Sequence, residues 1–295
     1  MCRFKVLFAV LLVLFSGADS PQWGIDQGRN RISSEENLPV SFQPGRKDPA
    51  TGDIAETGKN VRWAVKIGSR TYTPPVIADG CVLIGTNNDA KFDANIDGDY
   101  GIMLCLDEKT GKFRWQYAAK KVSEIQHFDT VQIGITSTPL VRNGIVYFVD
   151  NRGTVCAVNL ADGKPKWTFD LVKVLGVRQH DANNCSITIH ENWLFAGTAN
   201  GLDARHSNME RPDAPTLVVL DAATGKPLAR DDAWLKTGIV HGQWCSPCLG
   251  AVKQADGSVV PTLFYVLGNG ILHSVNLQKF RQQLAAPPEN TGQFG

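Results

Sequence analysis

The stretch D-E-K-T-G-K-F-R-W, Asp107 to Trp115, decides how this chain is read. Alone it is a polar turn running into an aromatic. It returns as N-L-A-D-G-K-P-K-W, Asn159 to Trp167, and as D-A-A-T-G-K-P-L-A, Asp221 to Ala229. An imperfect earlier copy, E-T-G-K-N-V-R-W, runs from Glu56 to Trp63. Trp63 and Trp115 stand 52 residues apart, as do Trp115 and Trp167, and Ala229 follows Trp167 by 62. A period of this size belongs to propellers and repeat arrays rather than to a doubly wound sheet.

The residues between the copies repeat as well. A Ser/Thr-Pro step opens a unit at Thr73-Pro74, Thr138-Pro139 and Ser246-Pro247. An apolar hairpin follows, P-V-I-A-D-G-C-V-L-I-G-T from Pro75 or P-L-V-R-N-G-I-V-Y-F-V-D from Pro139. Asp79-Gly80 and Asn143-Gly144 are pairs that accept positive φ in a two-residue turn. A third strand leads into the phrase at Met103–Asp107, Val155–Asn159 and Leu217–Asp221, and a related run spans Leu272–Asn276. In the phrase itself the Asp or Asn caps the turn and the glycine takes a left-handed position that a Cβ would oppose. The tryptophan then begins a fourth strand as a wedge against a neighbouring sheet. Four strands per unit with an aromatic spacer predict an all-β chain, a β-propeller or partial propeller of about four four-stranded blades.

Composition agrees with one large repeat array. The chain has 295 residues, 43% hydrophobic, with 30 basic and 29 acidic side chains. No block of like charge invites a nucleic acid or an acidic membrane surface. At the start, Arg3 and Lys5 precede the apolar run Val6–Phe15, and Ser16-Gly17-Ala18 places small residues after it. Ten apolar residues are too few to span a bilayer, so residues 1–18 are expected to be a cleaved export signal. No cysteine follows them, which argues against a lipid anchor. The expected organisation is an extended segment over 19–59, propeller repeats over 60–277 and a tail over 278–295, with no transmembrane segment. Export implies a periplasmic or extracellular home. Six cysteines remain there, of which Cys81, Cys105 and Cys156 lie in apolar runs as small buried hydrophobes.

The phrase A-x-D/N-x-x-T-G-K-x-x-W, with its upstream Ser/Thr-Pro step and V-x-x-G-x-V-Y strand, resembles the pyrroloquinoline-quinone-type propeller repeat over residues 60–276. That family includes quinoprotein alcohol dehydrogenases, which hold the quinone and calcium on the propeller axis. It also includes the propeller lipoprotein of outer-membrane barrel assembly, which carries no cofactor. W-G-x-x-x-G-R-N from Trp23, then N-V-R-W-A-V-K-I-G and H-G-Q-W-C-S-P, is similar to exported propeller-repeat proteins of planctomycete-type bacteria. The chain departs from the family pattern in showing four units where such propellers close with seven or eight. After Asn276 it also lacks the T-G-K and the tryptophan, and the following residues read as a short helix or an irregular end. An incomplete propeller is therefore favoured over a four-bladed ring.

Three stretches could carry chemistry, each with a structural alternative. D-A-N-I-D-G-D, Asp93 to Asp99, matches the first half of a calcium loop, but Leu104 stands where a bidentate Glu would complete it. An acidic loop insertion explains it as well. H-G-Q-W-C-S-P-C, His241 to Cys248, holds a C-x-x-C pair four residues after a histidine. No second ligand pair lies near in sequence, so structural cysteines are expected over a metal or redox role, and a disulfide would need the backbone to turn there. N-G-L-D-A-R-H-S-N-M-E-R, Asn200 to Arg211, is a long polar loop of the kind that carries function, although the sequence shows no partner for His206. His190 and His273 fall in strand runs as structural histidines. Asn184-Cys185-Ser186 is formally a glycosylation sequon. No G-x-S-x-G, H-E-x-x-H or P-loop occurs. The adjacent cysteine pair of the quinoprotein dehydrogenases is missing too, so no quinone-binding residue is carried across.

No residue is assigned to catalysis or to a metal, and the cofactor-binding residues are left unknown. The expected function is an exported binding or scaffold protein of the periplasm or cell envelope, without cofactor and without catalysis. Its expected partners are envelope proteins or a second propeller half, not nucleic acid. The alternative is a dehydrogenase, or a subunit of one, using pyrroloquinoline quinone and calcium.

Overall fold

Each of the three later copies of the phrase closes one antiparallel sheet, and the sheets follow one another along the chain. The computed structural model describes residues 19–285, apart from 34, 53, 122–130, 232–237 and 240, together with 293–294. The expected export signal and most of the expected tail beyond 285 lie outside the described residues. A short ribbon, β1 (Arg46–Lys47) with β2 (Ile54–Glu56), precedes the repeats. The first sheet runs β3 (Val76–Ala78), β4 (Cys81–Asn87), β5 (Tyr100–Asp107) and β6 (Phe113–Lys120), each strand pairing with the next. The second runs β7 (Leu140–Arg142), β8 (Ile145–Val149), β9 (Thr154–Asn159) and β10 (Pro165–Asp170), followed by helix α1 (Leu171–Leu175). The third runs β11 (Thr188–His190), β12 (Trp193–Gly197), β13 (Leu217–Asp221) and β14 (Pro227–Asp231).

The last sheet has β15 (Cys248–Lys253), β16 (Val259–Val266) and β17 (Leu272–Asn276), three strands where four were expected. In place of the fourth comes helix α2 (Leu277–Leu284). Asn276 occupies the position that starts the turn in the other copies, and here its side chain accepts from the Gln278 and Lys279 amides as a helix cap. A short Asx side chain serves either role, and without the T-G-K that follows elsewhere the helix wins. A two-residue strand, β18 (Gln293–Phe294), adds to β14 in parallel.

The turns take the geometry their residues require. Asp79 and Gly80 have φ of 47° and 74°, and Asn143 and Gly144 have 52° and 70°, the paired positive values of a tight hairpin. In the phrase, the Asp107 carboxylate accepts from the Thr110 amide at 2.9 Å and the Thr110 hydroxyl at 2.7 Å, and Asp221 repeats this with Thr224. The strand after the turn bulges at the same place each time: Arg114, Lys166 and Leu228 are skipped in the register of their pairs. The bulge re-aims the next side chain, which is Trp115, Trp167 or Ala229.

That aim explains the repeat. The Trp63 indole N–H donates to the Glu108 carbonyl at 2.8 Å, Trp115 to Leu160 at 2.8 Å, and Trp167 to Ala222 at 3.1 Å. Each tryptophan therefore docks on the phrase of the next unit. Gly111, Gly163 and Gly225 sit beneath the rings at φ of 69°, 71° and 73°, and a Cβ on any of them would meet an indole carbon at 2.6 Å or less. The glycine thus serves both the turn and the ring of the preceding unit.

Sheets pack face to face in sequence. Val146, Phe148, Cys156 and Val158 of the second sheet join Leu83, Met103 and Cys105 of the first. Its other face, Tyr147, Val149, Val155 and Ala157, joins Ile189, Leu194 and Val218 of the third. Phe195, Leu217 and Val219 then meet Leu263, Tyr265 and Phe280 of the last unit. With both faces covered, strands such as Val146-Tyr147-Phe148-Val149 are apolar throughout rather than alternating. Cys81, Cys105 and Cys156 are buried in this packing, as expected, and so is Cys185. Among the described residues no helix is long and apolar enough to cross a membrane.

Candidate functional site

The opening steps of the units converge. Tyr72 and Pro74, Thr136 and Thr138, Asn184 and Ser186, and Cys245, Ser246 and Cys248 line one cavity of about 670 Å³. Its walls are largely aromatic and apolar, with Trp23, Trp244 and Phe264 added. The recurring hydroxyl has a role here. Ser186 Oγ accepts from the Thr138 amide at 3.2 Å, and Ser246 Oγ accepts from the Ser186 amide at 2.8 Å. Each step thus ties the preceding unit to its own. The step of the third unit is Ser186-Ile187, with isoleucine where the other units carry proline.

Arg29 crosses this surface from the N-terminal segment. Its guanidinium donates to the carbonyls of Pro247 and Trp23 at 3.1 and 3.0 Å, of Ser186 and Ile187 at 3.3 Å each, and to Thr188 Oγ1 at 3.0 Å. It also stands 5.0 Å over the Trp23 ring. Five donors in a planar fork suit such a junction. Burial lowers its pKa from the ordinary arginine value. The W-G-x-x-x-G-R-N run stands out in the sequence, but no local signal says that Arg29 pins two later units together.

Antiparallel order puts the phrase turns at one end of each sheet. The β4–β5 and β12–β13 loops and the connections between sheets lie at the other. The Asp93–Asp99 loop is there, and its acidic groups are directed apart. Asp93 accepts from the Asn95 amide, Asp97 pairs with Lys91 at 2.9 Å, and Asp99 accepts from the Gln132 amide. The arrangement is that of a folded loop with its carboxylates already matched to protein partners.

Three other loops at that end meet. His180 lies between α1 and β11, His206 between β12 and β13, and His241 between β14 and β15. Their ring nitrogens lie within 4.8 Å of one another, the one set of three or more such donors among the described residues. His206 Nε2 stands 3.0 Å from His241 Nδ1, which stands 3.3 Å from His180 Nε2. His206, for which the sequence shows no partner, has two. Cys245 and Cys248 take no part: the exposed Cys245 and half-buried Cys248 face the cavity instead.

The backbone builds this convergence. Isolated bridges join Gln179 to Asn200 and Gly201 to Gly242, and the Leu202 amide donates to the His241 carbonyl at 3.0 Å. A Cβ on Gly201 would come 2.6 Å from that carbonyl and 2.9 Å from the His180 Cβ, so glycine alone allows the approach. The Asp203 carboxylate accepts from the Ser207 amide and the Asn208 side chain, which hold its pKa down at about 2 and organise the turn carrying His206. His180 is fully buried, its Nδ1 donates to the Leu202 carbonyl at 2.8 Å, and desolvation lowers its pKa. Trp244 packs 5.4 Å from the His241 ring and also lines the cavity, so the two features are neighbours.

Known proteins share this frame. A family profile described as outer membrane protein assembly factor BamB matches residues 48–231. The BamB of Moranella endobia is 25% identical over 148 residues, 38% of this chain and 37% of that protein. A cytochrome c-type 1-butanol dehydrogenase of Thauera butanivorans is 26% identical over 140 residues, 46% of this chain and 17% of that protein. The chain thus spans well under half the length of these relatives. The quinohemoprotein alcohol dehydrogenase ADHIIG of Pseudomonas putida superposes with a TM-score of 0.53 at 14% identity, over 88% of this chain and 46% of that one. With the profile spanning more than half of its residues, this chain belongs to the BamB family of quinoprotein-type β-propeller repeats.

Proposed function

We propose that the chain is an exported binding or scaffold protein of the cell envelope, which engages its partners through the cavity end of the propeller and performs no catalysis itself. The observation that carries this reading is the lining of the cavity where the units converge. A quinone held with calcium needs carboxylate oxygens for the metal and free cations for an acidic ligand. Among the described residues that line the cavity there is no Asp or Glu, and the one cation, Arg29, already donates to five acceptors. The residues present do not fit that pair, and no reaction step is derived through it. An apolar, aromatic recess with hydroxyls at its edge fits the side chains of a protein partner. The family's role in outer membrane protein assembly supports an envelope location.

Two measurements test the reading together. Pyrroloquinoline quinone, with and without calcium, is titrated into the purified chain while tryptophan emission is followed. A photo-crosslinking residue replaces Tyr72, 60% exposed at the rim, in growing cells. The expected results are emission indifferent to the quinone and a discrete crosslink to an envelope protein. Saturable, calcium-dependent quenching would replace the scaffold with a quinoprotein.

A further inference from the structure

We infer that His180, His206 and His241 form a binding site for a divalent transition metal of the zinc class, held by three imidazoles with a fourth position open to solvent. Three observations lead there: the spacing of the nitrogens, their proton bookkeeping and the support behind them.

In a tetrahedral site with zinc–nitrogen bonds of about 2.0–2.1 Å, ligand nitrogens stand about 3.3–3.4 Å apart. The separations to His241 Nδ1 are 3.3 Å from His180 Nε2 and 3.0 Å from His206 Nε2, and the whole set falls within 4.8 Å. A small rotation of the exposed His206 and His241 rings reaches the required spacing.

Protons do not satisfy this cluster well. The Leu202 carbonyl takes the Nδ1 hydrogen of His180, which makes Nε2 the acceptor nitrogen of the neutral ring, 3.3 Å from His241 Nδ1. His241 Nδ1 faces both other rings, and with all three neutral only one of the two short contacts carries a hydrogen of its own. A metal cation accepts all three lone pairs at once.

The support is that of a metal ligand. A ligating histidine ordinarily donates its second nitrogen to a backbone carbonyl or a carboxylate, and His180 does so through Leu202. The Trp244 indole N–H donates to the His180 carbonyl at 3.3 Å, and the Asp181 carboxylate lies 4.0 Å from His180 Nε2, adding negative charge beside the site. Gly201 and Gly242 permit the close approach of the loops. Three imidazoles select zinc, cobalt, nickel or copper over the hard ions calcium and magnesium. The ligands come from connections on both sides of the third sheet and from its own β12–β13 loop, so a bound ion clasps the second, third and last units at one end.

The test uses the untagged full chain, stripped of metal. Cobalt(II) is added and its visible d–d absorption followed, then zinc and calcium are added as competitors. One cobalt per chain is expected, with the strong visible band of a tetrahedral site, displaced by zinc and unaffected by calcium. The band is expected to vanish in His206→Ala and in His241→Ala, with zinc affinity down by about 100-fold or more. Both side chains are exposed, so the metal-free variants are expected to melt with the parent, which separates ligand loss from misfolding. Cys245→Ser is expected to keep the band. Absence of the band in the parent, its persistence in either histidine variant, or its loss in Cys245→Ser would overturn the assignment.

Discussion

Replacing Gly163 by alanine tests whether the repeated phrase works as a latch between units. Two costs are readable at this position. The residue sits at φ of 71°, where an alanine pays roughly 1–2 kcal/mol of left-handed strain. The new Cβ would also lie 2.5 Å from Trp115 Cε3, in a ring that is 6% exposed. To reach an ordinary contact distance the indole must back away by about 1 Å. That breaks its 2.8 Å bond to the Leu160 carbonyl and leaves a buried N–H unmatched, at a cost of about 1–3 kcal/mol. The total is about 2–5 kcal/mol. Gly144 supplies the control, because its φ is 70° but a Cβ there meets nothing within 4 Å. Gly144→Ala is expected to cost only the strain, about 1–2 kcal/mol. Urea unfolding followed by circular dichroism measures both. A double-mutant cycle then repeats Gly163→Ala in a Trp115→Ala background, where only the strain should remain. Equal losses for Gly163→Ala and Gly144→Ala in the parent would refute the latch.

Other positions make separate claims. Arg29→Ala is expected to lower stability by about 2–4 kcal/mol, since buried carbonyls of two units lose a charged donor, and Arg29→Lys should restore little of it because a point charge cannot reproduce the fork. Thermal melting of the three proteins decides this. Asp231, 2% exposed, accepts from the Thr216 and Leu217 amides at 2.7 Å each, so Asp231→Ala is expected to cost about 3 kcal/mol or more by denaturant midpoint. Desolvation lowers the pKa of His180, His190 and His273 in the folded chain, so the unfolded state binds more protons once pH falls below about 6.5. The metal-free protein should therefore lose stability as pH falls from 6.5 through the folded values, and a melting temperature flat between pH 7.5 and 5.5 would contradict the three burials.

The fold was written in local chemistry, and so it was readable. Asp-Gly and Asn-Gly turns, the Asx-capped phrase and the spacing of Trp63, Trp115 and Trp167 each act within a few residues or at a fixed period. Two features departed from the period, and only the second, the short helix after Asn276, was legible from the missing T-G-K. Ser186 performs the opening step of the third unit with Ile187 after it in place of proline. Asn276 keeps its capping role but starts a helix. The histidine cluster was harder still. Its members occupy loops whose lengths follow no repeat, and they meet only because Gly201 and Gly242 let three backbones close on one another. The sequence listing shows His206 in one polar stretch and His241 in another beside C-x-x-C. That pair of cysteines drew the eye to a motif, while the nearest chemical neighbours of His241 lay 35 and 61 residues upstream. Arg29 shows the same limit, since its partners begin 157 residues further along, apart from Trp23 nearby.

The direction in which the tryptophans reach has a consequence for how the chain comes into being. The indoles of Trp63, Trp115 and Trp167 each dock on a turn that lies later in the sequence, 45 residues on for the first two and 55 for the third. A nascent chain, appearing N-terminus first, therefore always carries one ring whose seat has not yet been made. At about 5–20 residues per second the wait for each seat is about 2–11 s. Growth then proceeds as a succession of short vigils in which the sticky surface is confined to the newest unit and handed forward as the next one arrives. A molecular escort guarding this protein during its birth would need to cover a single blade's width at any moment.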